Sequence, residues 1–184
     1  MIHVIKLALK LFIIAAVTTA LLVVTYMATL EPIANQNRLT QERLMRALLA
    51  QAVDFEEIPV EQTGSIVRVF EASNEDGAIG YIVELSPVGY AGRISMIVGI
   101  STEDNSLAGI RVLRHTETPG LGALIVTERF FSRYEGRELA PLRVVRSGAG
   151  GNEIDAITSA TITTVAVTDA VNEAIKWYQE SGLR

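Results

Sequence analysis

Hydrophobic and polar positions change register repeatedly along this 184-residue chain, and each change predicts a different element. Leu11–Leu30 is a run of twenty residues without a charge, rich in Leu, Ile, Val and Ala. Wound as a helix it would span about 30 Å, enough to cross the hydrocarbon core of a bilayer. From Ile33 to Val53 the pattern becomes amphipathic, with Leu39, Leu44, Leu48 and Leu49 at or near helical spacing. Strand patterns follow. Val67–Ala72 and Ala78–Leu85 read as strands around Asn74-Glu75-Asp76-Gly77, a strong hairpin turn. Ile94, Met96, Val98 and Ile100 mark a third strand, and the polar run Thr102–Ser106 turns it into a fourth, Leu107–Leu113. A helix is predicted over Ala123–Tyr134, a short strand around Leu142–Val145, and a flexible break at Gly148–Asn152. A last helix runs from Ala160 to about Gln179, with Val167, Ala170, Val171, Ala174, Ile175 and Tyr178 on one face. Trp177 and Tyr178 sit late in it and read as packing.

Successive strands with short connections favour an antiparallel sheet over a doubly wound parallel one. The fold class is therefore α+β: a single N-terminal transmembrane helix, then an antiparallel sheet packed by helices. Three segments are expected: 1–32 as cytoplasmic N-terminus and anchor, 33–56 as a connecting helix, and 57–184 as an extracytoplasmic domain. Lys6 and Lys10 precede the apolar run and Glu31 follows it, which places the N-terminus in the cytoplasm. A cleaved signal peptide is the competing reading, but its apolar region is usually shorter and no Ala-x-Ala triplet closes this one.

Composition narrows the chemistry. With no cysteine there is no disulfide, no thiolate-bound iron–sulfur cluster and no cysteinyl flavin link within the chain. Two histidines, His3 and His115, make a histidine-rich metal site improbable. A net charge of −5 and the absence of a basic run argue against nucleic acid as a partner. Any redox centre must then be an organic cofactor held by oxygen and nitrogen groups.

Two segments carry candidate chemistry. Asp155-Ala156-Ile157-Thr158-Ser159-Ala160-Thr161-Ile162-Thr163-Thr164 sets five hydroxyls at the entrance of the last helix. A helix start presents unpaired N–H groups and the positive end of the macrodipole, and so favours a phosphate. The same residues also suit an ordinary capped helix, with Asp155, Thr158 or Ser159 accepting hydrogen bonds from the first turn. His115-Thr116-Glu117-Thr118-Pro119-Gly120-Leu121-Gly122 is the second segment. Pro119 presets the first corner of a turn, Gly120 supplies the positive φ of a type II turn, and Gly122 permits close approach. Gly89-Tyr90-Ala91-Gly92 either lets a ring lie near a planar cofactor or is a plain turn.

The first segment resembles the flavin-attachment motif, Asp-x-x-Ser/Thr-Gly-Ala-Thr-x-Ser/Thr, of the FMN-binding subunits of Rnf-type electron transport complexes. Asp155, Thr158, Ala160 and Thr161 match it, and Ser159 stands where glycine is usual. The second segment resembles the His-x-Glu-Thr-Pro-Gly-Leu-Gly signature of the Rnf G subunit. The resemblance implies FMN joined by a flavin transferase through its phosphate to Thr161, with Thr158, Ser159 and Ala160 around the phosphate. Thr118, Leu121 and Gly122 would shape the ring and ribityl site, Glu117 and Gly120 would also belong to the cofactor site, and Asp155 would orient the attachment loop. It further implies a redox subunit, incomplete alone, of an ion-translocating ferredoxin:NAD oxidoreductase complex, working with other membrane and peripheral subunits. Its expected place is the inner membrane, single-pass in the lipid bilayer, with the FMN domain on the periplasmic side. The C subunit of the sodium-pumping NADH:quinone reductase carries a similar motif and is the near alternative. An anchored binding or scaffold protein without flavin is the distant one.

Overall fold

The computed structural model describes residues 2–60 and 63–183. Residues 1–42 and 43–184 form two compact units. Helix α1, Ile2–Leu48, makes up the first unit and supplies the start of the second. It is the helix of the described chain long and apolar enough to cross a membrane. Three of its threonines return their hydroxyls to the helix itself. Thr18 Oγ1 donates to the Ile14 carbonyl at 3.0 Å, Thr25 to Leu21 at 2.9 Å and Thr29 to Thr25 at 2.9 Å. Polar side chains so satisfied are compatible with a surrounding that offers no hydrogen bonds. The separate amphipathic helix expected from Ile33 is instead the continuation of α1 through Pro32. A proline removes one backbone bond, at a cost of about 3 kcal/mol, but the intact turns on either side propagate the helix past it.

The second unit is built on a five-stranded antiparallel meander: β1 Asp54–Ile58, β2 Ile66–Asn74, β3 Gly77–Leu85, β4 Ser95–Ser101 and β5 Ser106–Arg114, in that order across the sheet. The β2–β3 hairpin closes as its residues require, Asn74 Oδ1 accepting the Asp76 and Gly77 N–H groups at 2.8 and 3.1 Å. Strand β1 was not legible. Its Asp-Phe-Glu-Glu-Ile sequence is mostly exposed, and an edge strand of that kind is held by pairing with β2 rather than by a buried face.

Alternation along the strands supplies both faces of the sheet. Val83, Met96, Val98, Ile100, Leu107 and Ile110 face a core completed by helix α3, Thr161–Ser181, through Val167, Ala170, Val171, Ala174 and Ile175. Ile79, Ile82 and Ile97 point the other way, onto Met45, Leu48, Leu49 and Ala52 from the end of α1 and the turn after it. Full burial of side chains this size contributes about 1.5–3 kcal/mol each.

The helix expected over Ala123–Tyr134 is broken. A 3₁₀ turn, Gly122–Val126, precedes the single α-turn α2, Glu128–Phe131, with Thr127 extended between them at φ −86° and ψ 147°. Ile125, Val126 and Thr127 form a β-branched run that fits a continuous helix poorly. The reset at Thr127 lets Ile125, Phe130, Phe131 and Tyr134 all enter the core. Strand β6, Arg143–Val145, pairs in parallel with β7, Glu153–Asp155. Asn172 of α3 locks this region by donating to the Leu142 carbonyl at 2.9 Å and accepting its N–H at 2.8 Å. An Arg143–Glu153 ion pair joins the two short strands and, with the Gly150 N–H, holds the Glu153 carboxyl below the usual carboxylate range.

Candidate functional site

The two sequence segments meet at an open cleft of about 440 Å³. Tyr90, Glu117, Thr118, Leu121 and Gly122 line one part of it, and Ser159, Ala160, Thr161, Ile162 and Thr163 line the rest. Its volume lies within the range of small-molecule sites.

The Pro119–Gly120 corner adopts the conformation its residues dictate. Gly120 has φ +75°, and the Leu121 N–H reaches the Thr118 carbonyl at 3.2 Å. Gly122 lies against Glu117. A Cβ at Gly122 would collide with Glu117 Oε2 and approach Thr163 Oγ1 to 3.1 Å. Glu117 itself is 5% exposed and joins three segments. Its Oε2 accepts from the Thr163 hydroxyl at 2.7 Å, and its Oε1 accepts the Ala91 N–H at 2.9 Å. The Glu117 N–H donates to His115 Nδ1 at 3.2 Å, so His115 supports the strand end.

The attachment segment is sorted by burial. Thr164 is buried, accepting the Ile157 N–H at 3.1 Å and donating to the Ala160 carbonyl at 3.0 Å. Thr163 is buried and engaged with Glu117. Thr161 is exposed and faces the cleft. Thr158 is exposed and outside the cleft lining. Asp155 lies at the end of β7, where its Oδ1 accepts the Ala149 N–H at 3.0 Å and steadies the glycine-rich loop. The ordinary capped-helix reading does not hold. The residue preceding α3 is Ala160, and no side-chain oxygen caps the first turn. The helix therefore opens on the cleft with its dipole and first N–H groups uncompensated by a side chain. Ser159, just before it, has φ +65°, the left-handed conformation that glycine adopts at no steric cost.

Of the lining residues only Glu117 is charged, and none is basic. The cleft also takes in Tyr90, Ile162 and Thr163, which neither motif assigns to the site. The Gly-Tyr-Ala-Gly pattern was the available signal for the first. The other two follow only from how α3 enters the cleft.

A family model described as the FMN-binding domain matches residues 89–176, which include the whole cleft lining. A second, the RnfG N-terminal region, matches residues 1–48. The chain is 34% identical to the G subunit of the ion-translocating oxidoreductase complex of Methanosarcina acetivorans, over 94% of its own length and 93% of that protein's. It is 34% identical to the G subunit of the Na⁺-translocating ferredoxin:NAD⁺ oxidoreductase complex of Acetobacterium woodii, covering 95% and 91% of the two chains. The crystal structure of the C subunit of the Na⁺-translocating NADH-quinone reductase from Parabacteroides distasonis shares the fold, with a TM-score of 0.60 at 20% identity over 82% of this chain and 95% of that one. Fold and cleft thus define an FMN-binding domain behind an apolar N-terminal helix. The chain belongs to the family of G subunits of Rnf-type ion-translocating oxidoreductase complexes.

Proposed function

We propose that the chain is the membrane-anchored electron-carrying G subunit of an ion-translocating ferredoxin:NAD oxidoreductase, with FMN joined through its phosphate to Thr161. The observation that carries this reading is the division of hydroxyls at the start of α3. Thr163 and Thr164 are buried and committed to internal bonds, whereas Thr161 stands in the cleft beside an uncapped helix end. The donor set fits an esterified phosphate. A phosphodiester carries about one negative charge where a monoester carries about −1.5 to −2, so backbone N–H groups and the dipole suffice in a cleft without a basic side chain.

Ser159 and Ala160 would border the phosphate, and Thr118, Leu121 and Gly122 would border the ribityl chain and ring. Glu117 would brace the wall, since both its oxygens already accept hydrogen bonds from the protein. Asp155 and Thr158 would act on the attachment loop before or during modification by a flavin transferase, Asp155 through the loop it ties. Once bound, FMN supplies the acceptance and release of electrons one at a time, a chemistry that belongs to the cofactor while the protein supplies position and surroundings. Partners would be the other membrane and peripheral subunits of the complex. The apolar helix, with Lys6 and Lys10 before it, supports an inner-membrane anchor with a cytoplasmic N-terminus and the flavin domain on the far side. The likeness to the RnfG N-terminal region over residues 1–48 favours this reading over the quinone-reductase C subunit, whose structures share the fold.

Co-expressed with a flavin transferase, the protein should gain the mass of FMN less water. Thr161→Ala should abolish the gain and Thr163→Ala should retain it. A wild-type mass without the addition would refute the assignment.

A further inference from the structure

Three apolar side chains stand uncovered around the cleft: Tyr90 at 72% exposure, Ile162 at 59% and Leu121 at 43%. Large apolar groups scattered singly over a surface need no explanation, but a group of them lining one concavity marks a place where something else supplies the cover. Ile162 follows Thr161 directly in the chain. Thr161 lines the same cleft as these three side chains.

Tyr90 differs from the other two in how it is held. Its ring is exposed, yet the loop that carries it is pinned from several directions. The Gly89 N–H donates to the Gly92 carbonyl at 2.8 Å, closing a tight loop, and Val88 and Arg93 bridge its base. The next residue, Ala91, is bound at both of its backbone groups. Its N–H donates to Glu117 Oε1 at 2.9 Å, and its carbonyl accepts from the Thr116 hydroxyl at 3.4 Å. The loop also sits close against the segment that follows β5. A Cβ at Gly89 would collide with Glu117 Oε1, and one at Gly92 would come to 2.5 Å from Thr116 Oγ1. A ring carried on a loop so tightly tied needs no ordering of the backbone when a ligand covers it, which suits a binding contact.

We infer that Tyr90 is a flavin-ring contact of this cleft: its phenol lies against the isoalloxazine tethered at Thr161, and Glu117 is the positioning residue that holds the Tyr90 loop in reach. An aromatic face suits a planar, largely apolar ring in a way that the rest of the lining, with its aliphatic and hydroxyl side chains, does not. Glu117 ties this loop to Thr163, one carboxylate oxygen accepting from each.

The inference rests on the covalent FMN proposed above, and the test separates the two. Wild type, Tyr90→Phe, Tyr90→Leu and Glu117→Gln are each prepared with the flavin transferase and weighed by mass spectrometry. Flavin emission and absorption are then recorded at equal flavin content. A phenol in contact with an excited flavin quenches its emission by reversible electron donation; a phenyl ring stacks equally well but is a much poorer donor. Wild type should be weakly emissive. Tyr90→Phe should raise emission several-fold with its absorption bands unmoved, and Tyr90→Leu should raise emission as much and also shift the bands. Glu117→Gln keeps an acceptor oxygen for one neighbour only, so it should give a partial rise in emission with the native fold retained by circular dichroism. Full FMN mass in all four with emission unchanged by either Tyr90 substitution would overturn the ring contact and leave the attachment standing. A wild-type chain that lacks the added mass and fails to quench added free FMN would overturn both.

Discussion

Ser159 shows at the residue scale how a substitution within a motif is accommodated. Its φ of +65° lies where an L-residue incurs a steric cost of about 1–2 kcal/mol that glycine avoids. Glycine in turn leaves the unfolded chain freer, which offsets part of the gain by about 0.4–1 kcal/mol. Ser159→Gly is therefore expected to stabilise the second unit by roughly 0.5–1 kcal/mol, read as a higher denaturant midpoint. A lower midpoint would mean that the serine hydroxyl contributes more than its backbone conformation costs. Gly122 carries the opposite constraint. Its backbone is ordinary, but the space where a side chain would stand is filled by Glu117 and Thr163. Glycines at neighbouring places in one site are thus needed for different reasons: Gly120 for its φ, Gly122 for its smallness.

At the scale of elements, α3 does two jobs along its length. Its first turn furnishes the cleft, and its middle packs on the sheet and on the α2 region. The link between them is a chain of hydroxyls. Tyr134 OH lies 2.8 Å from Thr168 Oγ1, Thr168 donates to the Thr164 carbonyl at 2.9 Å, and Thr164 secures the attachment loop. Burial pushes the Tyr134 hydroxyl above its ordinary value of 10.0, against smaller lowering contributions from the Thr168 hydrogen bond and Arg133. The neutral phenol is thus favoured by the folded state. Its contribution to stability is complete below pH 10.0 and is lost as pH rises through the raised folded value. Tyr134→Phe should cost about 1 kcal/mol at neutral pH through the lost hydrogen bond, and should flatten the loss of stability in alkali. Denaturant unfolding on either side of pH 10.0 measures both effects. An unchanged alkaline slope would assign that slope to other groups, beginning with Tyr81, which burial and Glu71 also raise.

For the whole molecule the informative quantity is sidedness. The apolar part of α1 is flanked by Lys6 and Lys10 on one side and Glu31 on the other, and the proposed topology follows from that asymmetry. An alkaline phosphatase fused after the last residue should be active only beyond the cytoplasmic membrane, and the purified protein should keep its N-terminal segment. Activity of a cytoplasmic reporter at the same point would reverse the topology. A mature chain starting after the apolar run would replace the anchor with a cleaved leader.

The sequence by itself determined the elements whose signal is local. Period-two alternation in β2 to β5, helical spacing in α3 and the charge-free run in α1 each reflect a face that must be buried in protein or lipid, so they are written in the order of residue types. The Asn74–Gly77 and Pro119–Gly120 turns were legible for the same reason, because their backbone angles select their residues. Tertiary structure decided whatever depends on partners distant in the chain. Strand β1 exists because β2 offers it an edge, and the helix near Ala123 breaks because Ile125, Phe130 and Tyr134 share one core. Five hydroxyls looked alike in the attachment segment, and four of them share the letter T. Thr163 turns into the core against Glu117, forty-six residues away in the chain, whereas Thr161 stands exposed in the cleft, and that contact is decided by tertiary structure. Tyr90 was ambiguous for the same reason: a Gly-x-x-Gly turn is common, and what faces its ring is set by packing, which no local spacing encodes.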